Sequence, residues 1–261
     1  MSEQDVSSFG YRTLPQSQKV EAVRKVFERV APSYDLMNDV MSAGIHRVWK
    51  DMACQRLNPQ PGERILDVAG GTGDMARRLL SLMKRANQRR VARGASPKAC
   101  GVSVLDYNEA MICEGRKKGS DGEADAGLSW MVGDATKLPL EEQTIDAYII
   151  SFGIRNVSPV ETALTEAKRV LKPGGRFFCL EFSKPSSVIL RDLYKTYSFK
   201  LIPQLGEWIA KDRDSYQYLV ESIDRFPSQE DFADMIQKAG FHSVGYQNYS
   251  NGIAALHFGR A

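Results

Sequence analysis

Three carboxylates stand where short apolar runs end: Asp67 after Ile65-Leu66, Asp106 after Val104-Leu105, and Asp134 after Met131-Val132-Gly133. A carboxylate at the end of a buried strand can accept hydrogen bonds from hydroxyl or amino groups, or face a cation. The first of them opens onto a glycine cluster, Gly70-Gly71-Thr72-Gly73, and a further acid, Asp74, begins the helical segment that follows. Strand, glycine turn and helix in that order set up a ligand at the carboxyl edge of a sheet. Glycines in the turn let the backbone come close to that ligand.

Two ligand classes use such a turn. Gly71-Thr72-Gly73-Asp74-Met75-Ala76 fits the dinucleotide pattern G-x-G-x-x-G/A, which sets an anionic pyrophosphate on the helix N-terminus. Asp67 and Asp74 would repel a pyrophosphate. The same pair suits a ligand with a sulfonium and an ammonium, S-adenosylmethionine. Asp106 is then expected to hold the two ribose hydroxyls and Asp134 the adenine amino group, although each acid alone also reads as a strand-end cap.

These residues need a scaffold. Strands are expected at 64–69, 101–105, 128–132, 145–151 and 176–182, with helices from 74 and over 160–171. Their alternation predicts an α/β fold, a Rossmann-like, mostly parallel sheet with helices on both faces, running from 61 to 261. Runs at 242–249 and 253–258, split by Asn251-Gly252, read as a terminal hairpin. Ahead of this domain come a polar segment, 1–17, and a helical segment, 18–60. Within the latter, Val20, Val23, Val26, Phe27 and Val30 recur at helical spacing, and a second helix is expected over 36–57. These helices are expected to form a lid on the ligand edge. Apolar residues between 186 and 227 read either as a core-facing helix pair or as a cap over a hydrophobic substrate tail.

The chain has 261 residues, 43% of them hydrophobic and 26% charged, an ordinary globular composition. Its 35 basic and 32 acidic side chains leave a net charge of +3, too small an excess for a nucleic-acid binder. The bases that do cluster (Lys84, Arg85, Arg89, Arg90, Arg93 and Lys98) fall in an acid-free segment, 84–99. It reads as a solvated helix end and loop, or as a contact with anionic lipid or a partner. Cys54, Cys100, Cys113 and Cys179 form no C-x-x-C pair, and three dispersed histidines offer no metal site. The longest apolar run, 147–152, is strand-sized, so no membrane span is expected. The first five residues carry two acids and no base, unlike a transit peptide.

Longer motifs carry a resemblance. The segment Tyr34-Asp35-Leu36-Met37-Asn38-Asp39-Val40-Met41-Ser42-Ala43-Gly44-Ile45-His46-Arg47-Val48-Trp49-Lys50 closely resembles the first signature of the ubiquinone/menaquinone C-methyltransferase family. Arg169 to Ser183, with Lys172-Pro173-Gly174-Gly175 inside it, resembles the second, and Ser151-Phe152-Gly153-Ile154-Arg155-Asn156-Val157 is similar to a further family pattern. Phe9-Gly10-Tyr11, the basic segment and Ser215 to Ile223 look more like the eukaryotic mitochondrial branch, the 2-methoxy-6-polyprenyl-1,4-benzoquinol methylases of coenzyme Q synthesis. The resemblance implies a class I S-adenosylmethionine-dependent methyltransferase with a seven-stranded sheet. It implies carbon methylation of a polyprenyl benzoquinol on the matrix face of the mitochondrial inner membrane, as a peripheral protein. It further implies a multi-enzyme coenzyme Q assembly and a homodimer. By the family pattern Thr72, Asp106, Asp134, Ala135 and Ser151 contact the methyl donor.

Methyl transfer to a ring carbon needs alignment, exclusion of water and help with the proton of a neighbouring hydroxyl. Arg155 is expected to hold the developing phenolate, its guanidinium being a poor base but a good partner for an oxyanion; an ion pair with a nearby acid is the plain alternative. Glu181 would orient Arg155 or make a buried structural hydrogen bond. Tyr34 is expected to touch donor or acceptor from the lid, or simply to pack. His46 is a candidate base, or with Trp49 locks the lid helix. Other readings stay open: a demethylmenaquinone methyltransferase, a non-catalytic assembly subunit, and a nicotinamide oxidoreductase.

Overall fold

A computed structural model describes residues 6–30, 39, 42, 44–119, 125–187, 197, 199, 202–210 and 212–261. Its centre is a seven-stranded sheet in the order β5-β4-β3-β6-β7-β9-β8. The strands are β3 (Arg64–Val68), β4 (Gly101–Asp106), β5 (Leu128–Val132), β6 (Ile145–Ser151), β7 (Leu171–Phe182), β8 (His242–Tyr249) and β9 (Ala254–Arg260). From β5 to β7 neighbours run parallel; β9 pairs antiparallel with β7 and β8. The chain winds outward in one direction from β3 and in the other from β6. The crevice between them is the switch point where ligands of open α/β sheets sit.

Both faces of the central strands are buried, as parallel strands demand. Ile65, Val104, Ala147 and Ile149 point to one side, where they meet Trp49, Ala53 and Leu57 of α2 (His46–Leu57) and Leu79, Leu80 and Met83 of α3 (Asp74–Ala92). Leu66, Val68, Tyr148 and Ile150 point to the other. There they pack on Ala163, Leu164 and Ala167 of α5 (Val160–Val170) and on Phe232 and Ile236 of α8 (Gln229–Lys238). Each large apolar side chain so buried contributes roughly 1.5–3 kcal/mol. Helix α4 (Glu109–Lys118) is capped by Asn108, whose side chain accepts from the Ala110 and Met111 N–H groups. Two further helices, α6 (Ile202–Ala210) and α7 (Arg213–Arg225), precede α8.

Several boundaries differ from expectation. The polar N-terminal segment is not featureless: β1 (Val6–Phe9) and β2 (Arg12–Pro15) form an antiparallel hairpin leading into α1 (Gln16–Val30). Of the second helix expected over 36–57, His46–Leu57 is helical after Gly44 at φ +79°, Asp39 and Ser42 are also helical, and 36–38, 40, 41 and 43 lie outside the described residues. Strand β7 starts at Leu171, paired with Ile145, and so includes the Lys172-Pro173-Gly174-Gly175 run. The basic segment divides, Lys84 to Ala92 completing α3 and 93–99 forming the loop to β4. At the terminal hairpin Tyr249 pairs with Ala254, and a short helical turn, Ser250–Gly252, replaces a two-residue loop.

Candidate active site

The glycine turn leaves β3 at Ala69 and enters α3 at Asp74. Gly71 stands at φ +55° and Gly73 at φ +79°, where a side chain is strained; a Cβ on Gly73 would also fall 2.5 Å from the Trp130 ring. The Gly73 N–H donates to the Gly70 carbonyl at 2.8 Å. Arg77 fixes the turn from below, donating at 2.7 Å to the carbonyls of Thr72 and Gly115 and to both carboxylate oxygens of Asp125.

A cavity opens between this turn, α1 and the ends of β4 and β6. Gly71, Asp106, Asp134 and Ala135 line it, with Phe27 and Phe152 among its apolar walls. The carboxylate of Asp106 accepts from the N–H groups of Gly71 and Asn108, each at 2.8 Å. Burial raises its pKa to about 6 against the pull of those donors. Asp134 accepts from the Thr136 N–H at 2.7 Å and its hydroxyl at 2.8 Å. Arg24 also borders the cavity, paired with Glu21 and Glu28 at 2.8 Å.

Asp67, Gly70, Thr72, Gly73, Asp74 and Ser151 do not line this cavity. Asp67 is wholly buried under the turn: a Cβ on Gly70 would fall 2.9 Å from its Oδ2. Among the described residues neither Asp67 oxygen makes a well-formed hydrogen bond, and burial raises its pKa to about 8, opposed by Lys50 and the Ala76 N–H. Asp74 is paired instead with two cations. Lys50 of α2 donates to it at 2.9 Å and Arg78 at 3.0 Å. Burial opposes its ionisation, but these two cations hold its carboxyl below the usual range. The charge expected to face a cationic ligand is thus committed to the contact between α2 and α3. Thr72 is buried within the turn, and Ser151 ends β6 with its hydroxyl unpartnered among the described residues.

Arg155 lies in a short turn, Ile154–Asn156, just past β6. Its Nη1 donates at 2.6 Å both to Glu181 Oε1 and to the Phe152 carbonyl. The ion pair is buried, and among the described residues neither Arg155 Nε nor Glu181 Oε2 has a hydrogen-bond partner. His46 does not line the cavity; it starts α2 and shares a 2.8 Å hydrogen bond with the Ser42 hydroxyl. Burial and the charges of Lys50 and Arg47 push its pKa down to about 4. Trp49 packs on Phe152 and Phe182, and its indole donates to Ser250 at 3.0 Å, so this helix is locked to the sheet. Tyr34 lies outside the described residues. Among those described, no three His, Cys, Asp or Glu side chains stand close enough to hold a metal.

Sequence reasoning missed Lys50. It is 6% exposed and shares the buried face of α2 with Trp49, Ala53 and Leu57. A lysine on an apolar stripe signals a buried acidic partner, and that signal was available.

The site suits a methyl donor with acids and backbone rather than a phosphate cradle. Asp106 ends β4 on the cavity wall, and a buried acid, Asp67, underlies the turn. Wider comparison agrees. The chain is 55% identical to a ubiquinone/menaquinone biosynthesis C-methyltransferase of Caulobacter vibrioides, over 98% of both chains. It is 48% identical to a mitochondrial 2-methoxy-6-polyprenyl-1,4-benzoquinol methylase of Danio rerio, over 96% of this chain and 83% of that one. Human N-acetylserotonin methyltransferase, solved with S-adenosylmethionine, shares the fold at a TM-score of 0.60 and 16% identity, over 95% of this chain and 60% of that one. A profile of the ubiE/COQ5 methyltransferase family matches residues 14–261. Such a match, on an acid-lined cleft at the switch point of a seven-stranded sheet, leaves one conclusion: the chain belongs to the ubiE/COQ5 methyltransferase family and is an S-adenosylmethionine-dependent C-methyltransferase.

Proposed function

We propose that the chain methylates the ring carbon of 2-polyprenyl-6-methoxy-1,4-benzoquinol to give 2-polyprenyl-3-methyl-6-methoxy-1,4-benzoquinol in coenzyme Q synthesis. The observation that carries this reading is the buried Arg155–Glu181 pair beside the donor cavity. A guanidinium held by one nitrogen, with its Nε unpartnered, suits an oxygen that gains negative charge as the ring attacks. Bound S-adenosylmethionine supplies the electrophilic methyl group. The chain's own part is to seat both reactants, exclude water and hold the ring oxygen. Gly71, Asp106, Asp134 and Ala135 serve the donor directly, with Asp67, Gly70, Thr72, Gly73, Asp74 and Ser151 supporting the turn from behind. Tyr34 is assigned to contact with donor or acceptor, and α6 and α7 to the acceptor side.

The name of the Danio rerio relative favours a mitochondrial setting and the benzoquinol over a naphthoquinol. We place the chain on the matrix face of the inner membrane, as a homodimer within a multi-enzyme coenzyme Q assembly. Support for peripheral contact is exposed apolar surface: Ile45, which caps α2, and Val48 and Met52 within it recur at helical spacing, and Trp208 on α6 is 88% exposed. No described helix is long and apolar enough to cross a membrane. Incubation with methyl-labelled donor and a short-chain demethyl benzoquinol tests the reading by mass spectrometry. Label on the ring carbon supports it; label on oxygen, or preference for a demethylmenaquinol, overturns it.

A further inference from the structure

Beside the donor cavity lies a second one, bounded by the N-terminal hairpin, α1, α7 and the 155–160 segment. Arg155, Lys19, Tyr218 and Glu161 are among its lining residues. The two cavities share the wall made by Val157 and Ser158. Helix α1 serves both, presenting Val20, Val23 and Phe27 to the first and Gln16 and Lys19 to the second. Across the seam, the Gln16 side chain donates to the Ser158 carbonyl at 3.0 Å.

Lys19 is unusual there. It is 7% exposed, yet its amine has no hydrogen bond or ion pair among the described residues. Buried lysines are ordinarily paired, because an unpaired charge in the interior is costly. Lys50 of the same protein shows the ordinary case, held by Asp74. The other charged groups on the cavity wall are Arg155, already bound to Glu181, together with Glu161 and Arg225; Tyr218 donates its hydroxyl to Asn156 at 2.8 Å. None of them pairs with Lys19.

We propose that Lys19 is the proton acceptor of the reaction, taking the hydroxyl proton of a phenolic ring seated in this second cavity. This assignment rests on the quinol reading above. In the step, the ring O–H bond breaks with its electron pair left on oxygen, and the amine lone pair forms the new N–H bond. The ammonium so made faces the ring oxygenate, with Arg155 as its second cation. When the methyl has joined the ring carbon, the displaced ring proton returns to the oxygen as aromaticity is restored. Lys19 then passes its proton to water, one proton per turnover. Burial lowers the amine's pKa, with no charged neighbour contributing, which brings a lysine toward the range of a working base.

The test uses the full chain and the variants Lys19→Met and Lys19→Gln. The probe is 4-nitrophenol, whose absorbance reports its ionisation when bound. Wild type should bind the probe and ionise it at lower pH than free solution does; both variants should lose that shift. With a short-chain demethyl benzoquinol, both should lose about 10²-fold or more in kcat, while donor affinity by calorimetry stays within about threefold. The acid limb of the wild-type pH–kcat profile should vanish in the variants. Should one variant fold poorly, the other carries the measurement. Turnover within a few-fold of wild type together with an unchanged nitrophenol titration overturns the proposal. A Lys19-dependent nitrophenol shift without methylation of any quinol supports the role of Lys19 and places the failure in the choice of acceptor.

Discussion

The two cavities that meet at residues 157–158 are lined in opposite senses. One gathers Asp106 and Asp134 around a glycine turn, with Asp67 buried beneath; the other gathers Lys19 and Arg155. A sulfonium donor is cationic and loses its charge on transfer, whereas the acceptor ring must gain negative charge before it attacks. In the placement proposed above, each reactant would find an environment complementary to the charge it carries at the moment of reaction, across a seam of one helix and one loop. Such preorganised charge costs no reorientation during the reaction. Stability is given up in return, because carboxylates and amines are held without ordinary partners.

Substitutions on either side should separate the two functions, and the largest effect is expected at Arg155. Arg155→Met leaves Glu181 buried and unpaired, so stability should fall by about 3–5 kcal/mol in denaturant titrations. Adding Glu181→Leu should recover most of that loss but not turnover, which stays down about 10²–10³-fold. Recovered activity in the double variant would remove the cation from the comparison. On the other side, Asp106→Ala removes the acceptor of the Gly71 and Asn108 N–H groups. Donor affinity by calorimetry should weaken by about 10–100-fold, corresponding to roughly 1.5–3 kcal/mol for a charged hydrogen bond. Nitrophenol binding should not change.

A pH effect follows from the acids. Asp67 and Asp106 have pKa values raised to about 8 and about 6, and a cationic ligand favours their charged forms. Donor affinity should therefore rise with pH across that window, with proton release detected by calorimetry in buffers of different ionisation enthalpy. Affinity that is flat with pH would separate both carboxylates from the donor. The smallest effect is a control outside both cavities. His46 stays neutral in the fold down to about pH 4, while the unfolded chain protonates near 6.5. The unfolded state binds more protons in between, so stability is lost as pH falls through that range. His46→Gln should remove a share of this loss on the order of 1 kcal/mol, seen as about 2–4 °C in Tm. It should leave both ligands unaffected.

The central sheet was readable because its signals are local. Asp67, Asp106 and Asp134 mark strand ends, and the strands expected at 64–69 and 145–151 appear within a residue of those bounds. The N-terminal hairpin was not readable, since Val6–Phe9 and Arg12–Pro15 are short and draw their order from α7. At the site, residue types singled out Gly71, Asp106, Asp134 and Ala135, which line one cavity, but did not give orientation. Asp74 and Asp67 look equivalent beside the glycines, yet one is tied to Lys50 and Arg78 and the other makes no well-formed hydrogen bond. Lys19 carried a signal that went unread. It stands four residues before Val23 and seven before Val26, a cation on the apolar stripe of α1.

The N-terminal hairpin reaches far along the chain. Phe9 stacks on Tyr218 with ring centroids 4.2 Å apart, the Tyr11 hydroxyl donates to Asp224 at 2.8 Å, and the Tyr11 N–H donates to Glu221 at 2.9 Å. For protein engineering, the opening residues thus behave as part of the reaction vessel rather than as a handle. Trimming them, or fusing a bulky tag against them, should blunt catalysis with little change in the rest of the fold, and a library that varies Phe9 and Tyr11 offers a way to retune which ring is accepted without touching the donor.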